Sequence, residues 1–257
     1  MSAVAVPLLR LATAAMGTRF ELVLPGESPA LAAAGEAALH EIERCHAQLT
    51  KFSSDSLLSH INRTAYTNPV RLDRATFELF EAALAVARAS SGAFDCTLGT
   101  GRELVALRAA DRTIRFTDMR VSIDLGGMAK GHALDCAARV LRDSGVTCAL
   151  LHGGTSSVLA LGAPPGERGW QIALAHDPHG RIIALRDAAL SVSGSLGDRV
   201  NNAGHVLDPR TGRAITGERY TAVVGPSAGL ADAWSTALLV LGHRPTALGS
   251  EWTVHWW

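Results

Sequence analysis

The stretch DLGGMAKGH, residues 124–132, decides how the middle of this chain is interpreted. Residues 121–124 are strand-like, and Gly126 and Gly127 predict a turn directly after them. A helix is expected to follow and to end at Ser144-Gly145, because glycine readily takes the left-handed conformation that closes many helices. The stretch therefore predicts a strand, a glycine turn and a helix N-terminus in succession.

The residues before this stretch predict a hairpin, two helices and a strand. Alternating apolar residues on both sides of Gly17 predict an opening β-hairpin. Pro29 follows Ser28 as a first helical residue follows its N-cap, so a helix is expected to reach about Thr50. The second helix and the strand are expected at residues 73–92 and 113–116.

The residues after the stretch predict a sheet with few helices. Short apolar runs alternate with turn signals at residues 148–151, 158–161, 170–174, 182–185 and 189–193. A helix over residues 230–241 and a strand over residues 253–257 are expected to close the chain. Because no low-complexity linker and no repeat of fixed period is visible, residues 1–257 are expected to form a single α+β domain with mixed or antiparallel sheets and packed helices.

Composition restricts the classes of function. The chain carries 24 Lys and Arg against 24 Asp and Glu, a formal net charge of +0, so no nucleic-acid partner is expected. The apolar residues 3–15 are too few to span a bilayer and Arg10 interrupts them, so no membrane anchor is expected and the cytoplasm is the predicted location. The four cysteines form no C-x-x-C pair and are interpreted as free, mostly structural thiols: Cys45, Cys96, Cys136 and Cys148.

Residues 124–132 are the first candidate site. A helix N-terminus offers free N–H groups to a phosphate, and glycines let a ligand approach the backbone. The stretch matches neither common glycine pattern of nucleotide-binding folds, so the glycines alone favour a plain strand-to-helix turn. Lys130 favours a ligand, because Lys51 and Lys130 are the only lysines in a chain that otherwise uses arginine.

A second candidate lies in ADAWST, residues 231–236, where Asp232 and Thr236 are spaced to share one helix face. Mg²⁺ often takes one protein carboxylate together with phosphates and water, so two such oxygens can be enough. The structural alternative is that Asp232 interacts with the helix dipole and Thr236 hydrogen-bonds a backbone carbonyl. This segment alone favours the structural alternative.

A third candidate is GHVLDPRTG, residues 204–212, which is preceded by the serine-rich run 191–195. His205 can act as a general base near neutral pH, and Arg210 can pair with phosphate. The alternative is again structural, since Asp, Pro, Thr and Gly in this order are typical of a turn.

Six segments, in their order along the chain, resemble the FAD:protein FMN transferase family of the ApbE type. They are residues 16–18, 52–62, 92–97, 124–131, 205–212 and 226–236. The strings DLGGMAKG, HVLDPRTG and ADAWSTA are each distinctive, and their shared order makes a chance similarity improbable.

This resemblance implies an α+β enzyme that uses FAD and Mg²⁺, moves the FMN half onto a Thr or Ser hydroxyl of a target flavoprotein, and releases AMP. It implies Mg²⁺ ligands at the backbone carbonyl of Ala129 and at the side chains of Asp232 and Thr236. It also implies that His205 is the base that deprotonates the acceptor hydroxyl. The residues expected to bind FAD are Met16, Gly126, Gly127, Lys130, Ser156, Ser157, Arg210 and Thr211.

The chain departs from the family's pattern in two places. An aspartate that the family often carries is missing from HGGTSS, residues 152–157, and the segment between Gly99 and Asp124 is shorter than expected. Two alternatives to the transferase stay open, and these departures bear on the second of them. One is Mg²⁺-dependent hydrolysis of FAD to FMN and AMP, and the other is a flavin-binding protein without catalysis.

Overall fold

The computed structural model describes residues 6–196 and 206–257. The helices of these residues are α1 (Pro29–Leu49), α2 (Leu57–Thr64), α3 (Arg74–Ala89), α4 (Ala129–Asp143) and α5 (Ala228–Leu241). The strands are β1 (Leu8–Ala15), β2 (Thr18–Pro25), β3 (Val70–Arg71), β4 (Val105–Arg108), β5 (Thr113–Phe116), β6 (Ala149–Gly153), β7 (Ser157–Leu161), β8 (Trp170–Ala173), β9 (Ile182–Leu185), β10 (Ala188–Leu196), β11 (Leu207–Asp208), β12 (Arg213–Ala214), β13 (Glu218–Gly225) and β14 (Thr253–Trp256).

A seven-stranded sheet forms the centre of the fold. Its order is β1-β2-β6-β7-β10-β13-β14, and every neighbouring pair is antiparallel. Smaller antiparallel sheets are formed by β3-β5-β4, β8-β9 and β11-β12. The α+β class expected from the sequence is confirmed.

Helix α4 packs between α1 and α5. Its inward face is rich in small residues, and Ala133, Ala137 and Ala138 are fully buried. Gly131 allows the closest approach to α5, because a Cβ atom there would lie 2.0 Å from the carbonyl oxygen of Ala228. Packing of small residues therefore brings the N-terminal turns of α4 and α5 together.

A carboxylate of α4 fixes the start of α5. Asp135 accepts hydrogen bonds from the hydroxyl of Ser227 at 2.8 Å and from the N–H groups of Ala228 and Gly229 at 2.9 Å. The hydroxyl of Ser227 also caps the helix by accepting from the N–H of Leu230. These bonds use N–H groups that the helix itself leaves free, and so they set the position of the residues that follow in α5.

Most predicted elements are confirmed, and the exceptions have physical causes. The strand expected at residues 121–124 is wrong, because the side chain of Asn62 takes both the N–H and the carbonyl of Ile123, at 2.8 and 2.9 Å. A backbone paired with a side chain in this way has no free groups there for a strand partner. Helix α2 and strand β13 were not expected from the sequence.

Among the described residues, no helix combines the length and the apolar character needed to cross a bilayer.

Candidate functional site

A cavity of about 590 Å³ lies where the first turns of α4 and α5 meet strand β10. This volume is typical of a small-molecule site. Its walls contain Lys51, Phe94, Asp124, Gly126, Gly127, Lys130, Ser156, Ser191, Ser193, Val206, Leu207, Pro209, Asp232 and Thr236. A second cavity of about 380 Å³ adjoins it and shares Lys51, Leu98 and Asp124.

Asp232 is held in this cavity by donors from three other elements, α4, β7 and β10. Only 3% of its surface is exposed, and its Oδ1 atom accepts from the hydroxyls of Ser157 at 2.7 Å and Ser191 at 2.5 Å. Its Oδ2 atom accepts from the N–H of Gly131 at 2.7 Å, and the ammonium of Lys130 lies 3.9 Å away. Since a carboxylate has about four acceptor positions, one remains on Oδ2, the oxygen nearest Lys130.

Thr236 lies one turn after Asp232 and also lines the cavity. Its hydroxyl is 3.3 Å from the carbonyl oxygen of Asp232 and 3.2 Å from the hydroxyl of Ser193. The backbone contact is the one that the structural alternative predicts. A hydroxyl that donates to a carbonyl keeps its lone pairs, so the same geometry leaves Thr236 able to offer an oxygen to the cavity.

The loop before α4 supplies the opposite wall. Gly127 leaves room there, because a Cβ atom would lie 3.1 Å from the ring of Phe94 and 3.8 Å from the hydroxyl oxygen of Thr236. The N-cap residue of α4, Met128, makes no side-chain capping bond. Gly126, Gly127 and Lys130 line the cavity, so the positive, N-terminal end of this helix lies at its wall.

Both lysines of the chain line the cavity. The ammonium of Lys51 lies 2.5 Å from Oδ2 of Asp124, and Oδ1 of Asp124 accepts from the N–H of Gly126 at 2.8 Å. The rarity of lysine is visible in the sequence, but Lys51 was not among the residues expected in the site. That rarity was the available signal.

The oxygen atoms around α5 suit a hard divalent cation. Asp232 provides a partly free carboxylate oxygen, Thr236 provides a hydroxyl, and oxygen is the donor that Mg²⁺ prefers. Ala129, expected to contribute its carbonyl, is the first residue of α4 and is buried. The donor set therefore fits Mg²⁺ in its chemistry.

The serines of β10 were not among the predicted site residues. Ser191 holds Asp232, while Ser193 lies 2.8 Å from the hydroxyl of Ser235. Because side chains of a strand alternate between its faces, the pattern Ser-x-Ser-x-Ser in residues 191–195 puts its hydroxyls on one face. That alternation is the signal that could have identified them.

The structure places the predicted FAD-binding residues in two groups. Those that line the cavity are Gly126, Gly127, Lys130 and Ser156. Ser157 lies behind them, is fully buried and uses its hydroxyl to hold Asp232. Met16 is not part of this lining. It occupies the turn between β1 and β2, where its N–H donates to Nδ1 of His46 at 3.3 Å.

The segment after His205 reaches the cavity through different residues from those predicted. Val206, Leu207 and Pro209 line it, whereas Arg210 and Thr211 do not. The guanidinium of Arg210 instead binds both carboxylate oxygens of Asp208, at 2.9 and 2.8 Å, and this pairing lowers the pKa of Asp208. His205, the predicted base, lies outside the described residues.

Sequence comparison relates the chain to known proteins over most of its length. The family model described as the ApbE family matches residues 16–113 and 100–248. The FAD:protein FMN transferase of Treponema pallidum (strain Nichols) is 28% identical over 268 residues, covering 83% of this chain and 74% of the relative. The protein of the same name from Klebsiella pneumoniae (strain 342) is 25% identical over 273 residues, covering 88% and 77%.

Solved structures agree with these matches. The crystal structure of the ApbE protein from Thermotoga maritima superimposes with a TM-score of 0.80 at 25% identity, covering 92% of this chain and 87% of that one. The flavin transferase ApbE from Vibrio cholerae shares the fold, with a TM-score of 0.76 at 23% identity over 92% of this chain and 88% of that one.

Proposed function

This chain belongs to the ApbE family, and on that premise we propose that it is an FAD:protein FMN transferase that uses Mg²⁺. In this proposal the FMN half of FAD is transferred to a Thr or Ser hydroxyl of a target flavoprotein, and AMP is released. Relatives from two bacteria carry the transferase name, which supports this assignment. A cytoplasmic location stays a prediction from the sequence.

The observation that carries the proposal is the fixed carboxylate of Asp232 beside a helix N-terminus and a lysine. Ser157, Ser191 and Gly131 hold the carboxylate, and Lys130 lies 3.9 Å from the oxygen that keeps a free acceptor position. A pyrophosphate substrate brings negative charge that must be neutralised and aligned. Preorganised charges of both signs within one cavity are what phosphoryl transfer requires.

Asp232, Thr236 and the carbonyl of Ala129 would hold Mg²⁺ in this proposal. When bound, Mg²⁺ supplies neutralisation of phosphate charge. Lys130 and the first turn of α4 would bind phosphate oxygens, because both present positive charge to the cavity. Gly126 and Gly127 would let the substrate approach the backbone.

His205 is proposed as the base. It would take the proton of the acceptor hydroxyl while the hydroxyl oxygen forms a bond to the FMN phosphorus and the bond from that phosphorus to the AMP oxygen breaks. Val206, Leu207 and Pro209, which follow His205 in the chain, line the cavity. Their position supports a base delivered from this segment.

Product analysis tests the proposal against both alternatives. The protein would be incubated with FAD, Mg²⁺ and a candidate acceptor flavoprotein, and with the same acceptor after its Thr or Ser is changed to Ala. We expect AMP and covalently flavinylated acceptor in the first reaction, and neither when a chelator is present. AMP with free FMN in both reactions would identify a hydrolase, and bound FAD without AMP would identify a binding protein.

A further inference from the structure

A cluster of two thiols and an imidazole lies between α1 and α4. Cys45 of α1 and Cys136 of α4 are 1% and 2% exposed, and His132 of α4 is half-buried. One ligand atom from each residue lies within 4.8 Å of the other two. The described residues hold no other group of three histidine, cysteine or acidic side chains that could bind a metal in this way.

The helical geometry accounts for this arrangement. His132 and Cys136 are four residues apart and therefore share one face of α4. Cys45 belongs to the buried face of α1, which packs against α4. This contact joins distant parts of the sequence. A search for C-x-x-C pairs therefore could not have found it.

The separation of the two ligand atoms on α4 suits a tetrahedral metal ion. Sγ of Cys136 lies 3.5 Å from Nε2 of His132. In a tetrahedral zinc site, bonds of about 2.3 Å to sulfur and about 2.0 Å to nitrogen place these two ligand atoms about 3.5 Å apart. The two side chains of α4 therefore already have the separation that such a site needs.

The neighbours of Cys136 favour the thiolate form of that one residue. The pKa of Cys136 is lowered because Cys45 and His132 hydrogen-bond its sulfur, although burial acts in the opposite direction. The same hydrogen bond, together with burial, raises the pKa of the Cys45 thiol. The other charged groups that face the cluster are Glu41 and Arg44 of α1 and Arg139 of α4.

We propose that Cys45, His132 and Cys136 form a binding site for a thiophilic divalent cation of the Zn²⁺ class. Two sulfur atoms and an imidazole nitrogen prefer such an ion to Mg²⁺, which takes oxygen. A water molecule completes four ligands, because both carboxylate oxygens of Glu41, one turn before Cys45, bind the guanidinium of Arg44. Cysteines coordinate metals as thiolates, so coordination releases thiol protons to solvent and binding strengthens as pH rises.

This site is separate from the cavity around Asp232, but two of its ligands belong to α4, the helix whose first turn borders that cavity. An ion bound there would join α1 to α4. Gly131, which immediately precedes His132, donates a hydrogen bond to Asp232. The proposal does not depend on the transferase activity, because none of its three ligands lines the cavity around Asp232.

Cobalt is the probe that tests the site. The full-length protein would be reduced, stripped with a chelator and titrated with Co²⁺ in excess Mg²⁺, which keeps oxygen sites occupied. We expect one equivalent of Co²⁺ to produce thiolate-to-cobalt charge-transfer absorption in the near ultraviolet, and Zn²⁺ to displace it. Binding without that absorption would overturn the proposal, and so would a Cys45–Cys136 disulfide with no bound metal in freshly purified protein.

Variants locate the ion. Cys136→Ser and His132→Asn should each weaken Co²⁺ binding by more than about tenfold, since even a residue that only supports a ligand is worth about that much. Cys148→Ser is the matched control and should bind Co²⁺ normally, because its thiol is half-buried away from the cluster and contacts the carbonyl of Ala163. Circular dichroism would establish that the variants fold. His132→Asn should disturb the core less than Cys136→Ser, because His132 is only half-buried. Unchanged affinity in folded His132→Asn and Cys136→Ser would overturn the proposal.

Discussion

The N–H of Gly131 donates a hydrogen bond of 2.7 Å to Oδ2 of Asp232 and so joins the first turn of α4 to α5. Asp232 therefore provides the capping acceptor that Met128, the N-cap residue of α4, does not. Asp135 acts in the opposite direction by capping the start of α5. The two helices exchange capping carboxylates, and the cavity is built around one of them.

Gly131→Ala tests whether this close contact positions the site. Its new Cβ atom would lie 2.0 Å from the carbonyl oxygen of Ala228, so the two helices must separate. We expect a loss of about 1–3 kcal/mol in the free energy of unfolding and a larger proportional loss of AMP release. Denaturant unfolding and the AMP assay measure the two effects. Arg142→Ala, on the exposed face of the same helix, is the control and should change neither.

Asp232→Asn is expected to abolish Mg²⁺-dependent AMP release. The structure adds a second effect, because the amide must place its oxygen against the N–H of Gly131 and its NH₂ group against Ser157 and Ser191, whose hydroxyls donate to Asp232 and would have to turn to accept. Three buried hydrogen bonds to a charged acceptor become bonds to a neutral amide, which is unfavourable by about 1–3 kcal/mol. Activity across a Mg²⁺ titration and thermal unfolding would be measured together. Wild-type activity at every Mg²⁺ concentration would remove Asp232 from the metal site.

Thr236→Ala separates metal binding from stability more cleanly. Its hydroxyl contacts Ser193 and the backbone of its own helix, so the change leaves no buried carboxylate without its partners. We expect a folded protein that needs a higher Mg²⁺ concentration for half-maximal AMP release. Ser235→Ala removes a neighbouring hydroxyl that does not line the cavity and serves as the control. If Thr236→Ala and Ser235→Ala both show the Mg²⁺ dependence of the wild type, Thr236 has a structural role only.

Local signals in the sequence predicted much of the fold. The caps Ser28 and Asp73 start α1 and α3 as expected, because capping depends on residues within one helical turn. The opening hairpin follows from alternation of apolar residues, which is also local. The α+β class could therefore be derived without knowing any long-range contact.

The site required contacts that no local pattern encodes. Asn62 binds the backbone of Ile123 and prevents the strand expected there. Ser157 was expected to touch FAD but is buried behind Asp232. Arg210 was expected to touch phosphate but has Asp208 as a nearer partner two residues away. The partners of Asn62 and Ser157 lie in chain segments that only folding brings together, whereas Arg210 pairs with a neighbour in the sequence.

His205→Ala is expected to separate binding from chemistry. Loss of a general base slows the reaction by about two to four orders of magnitude, whereas FAD contacts made by other residues persist. FAD affinity would be measured by flavin fluorescence and transfer by covalent labelling of the acceptor. His179→Ala, an exposed histidine outside the cavity lining, is the control. If FAD affinity and transfer fall in the same proportion, His205 is a binding residue and the base must be sought elsewhere.

Changes at Lys130 test whether the start of α4 is a phosphate-binding site or only a turn that leads into the helix. Its ammonium lies 3.9 Å from Asp232 at the positive end of α4, with 26% of its side chain exposed, so it can reach an anion in the cavity. Lys130→Ala should weaken FAD binding, and the difference from wild type should shrink as salt is added, because salt screens the charge that the change removes. Lys130→Arg should restore FAD affinity more than activity, since a planar guanidinium does not replace a compact ammonium near Asp232.

FAD titrations at low and high ionic strength measure the effect of Lys130→Ala on affinity, and AMP release measures the activity of Lys130→Arg. Arg142→Ala removes one positive charge from the far end of the same helix and controls for net charge. Equal FAD affinity of wild type and Lys130→Ala at both ionic strengths would show that phosphate is bound without this lysine.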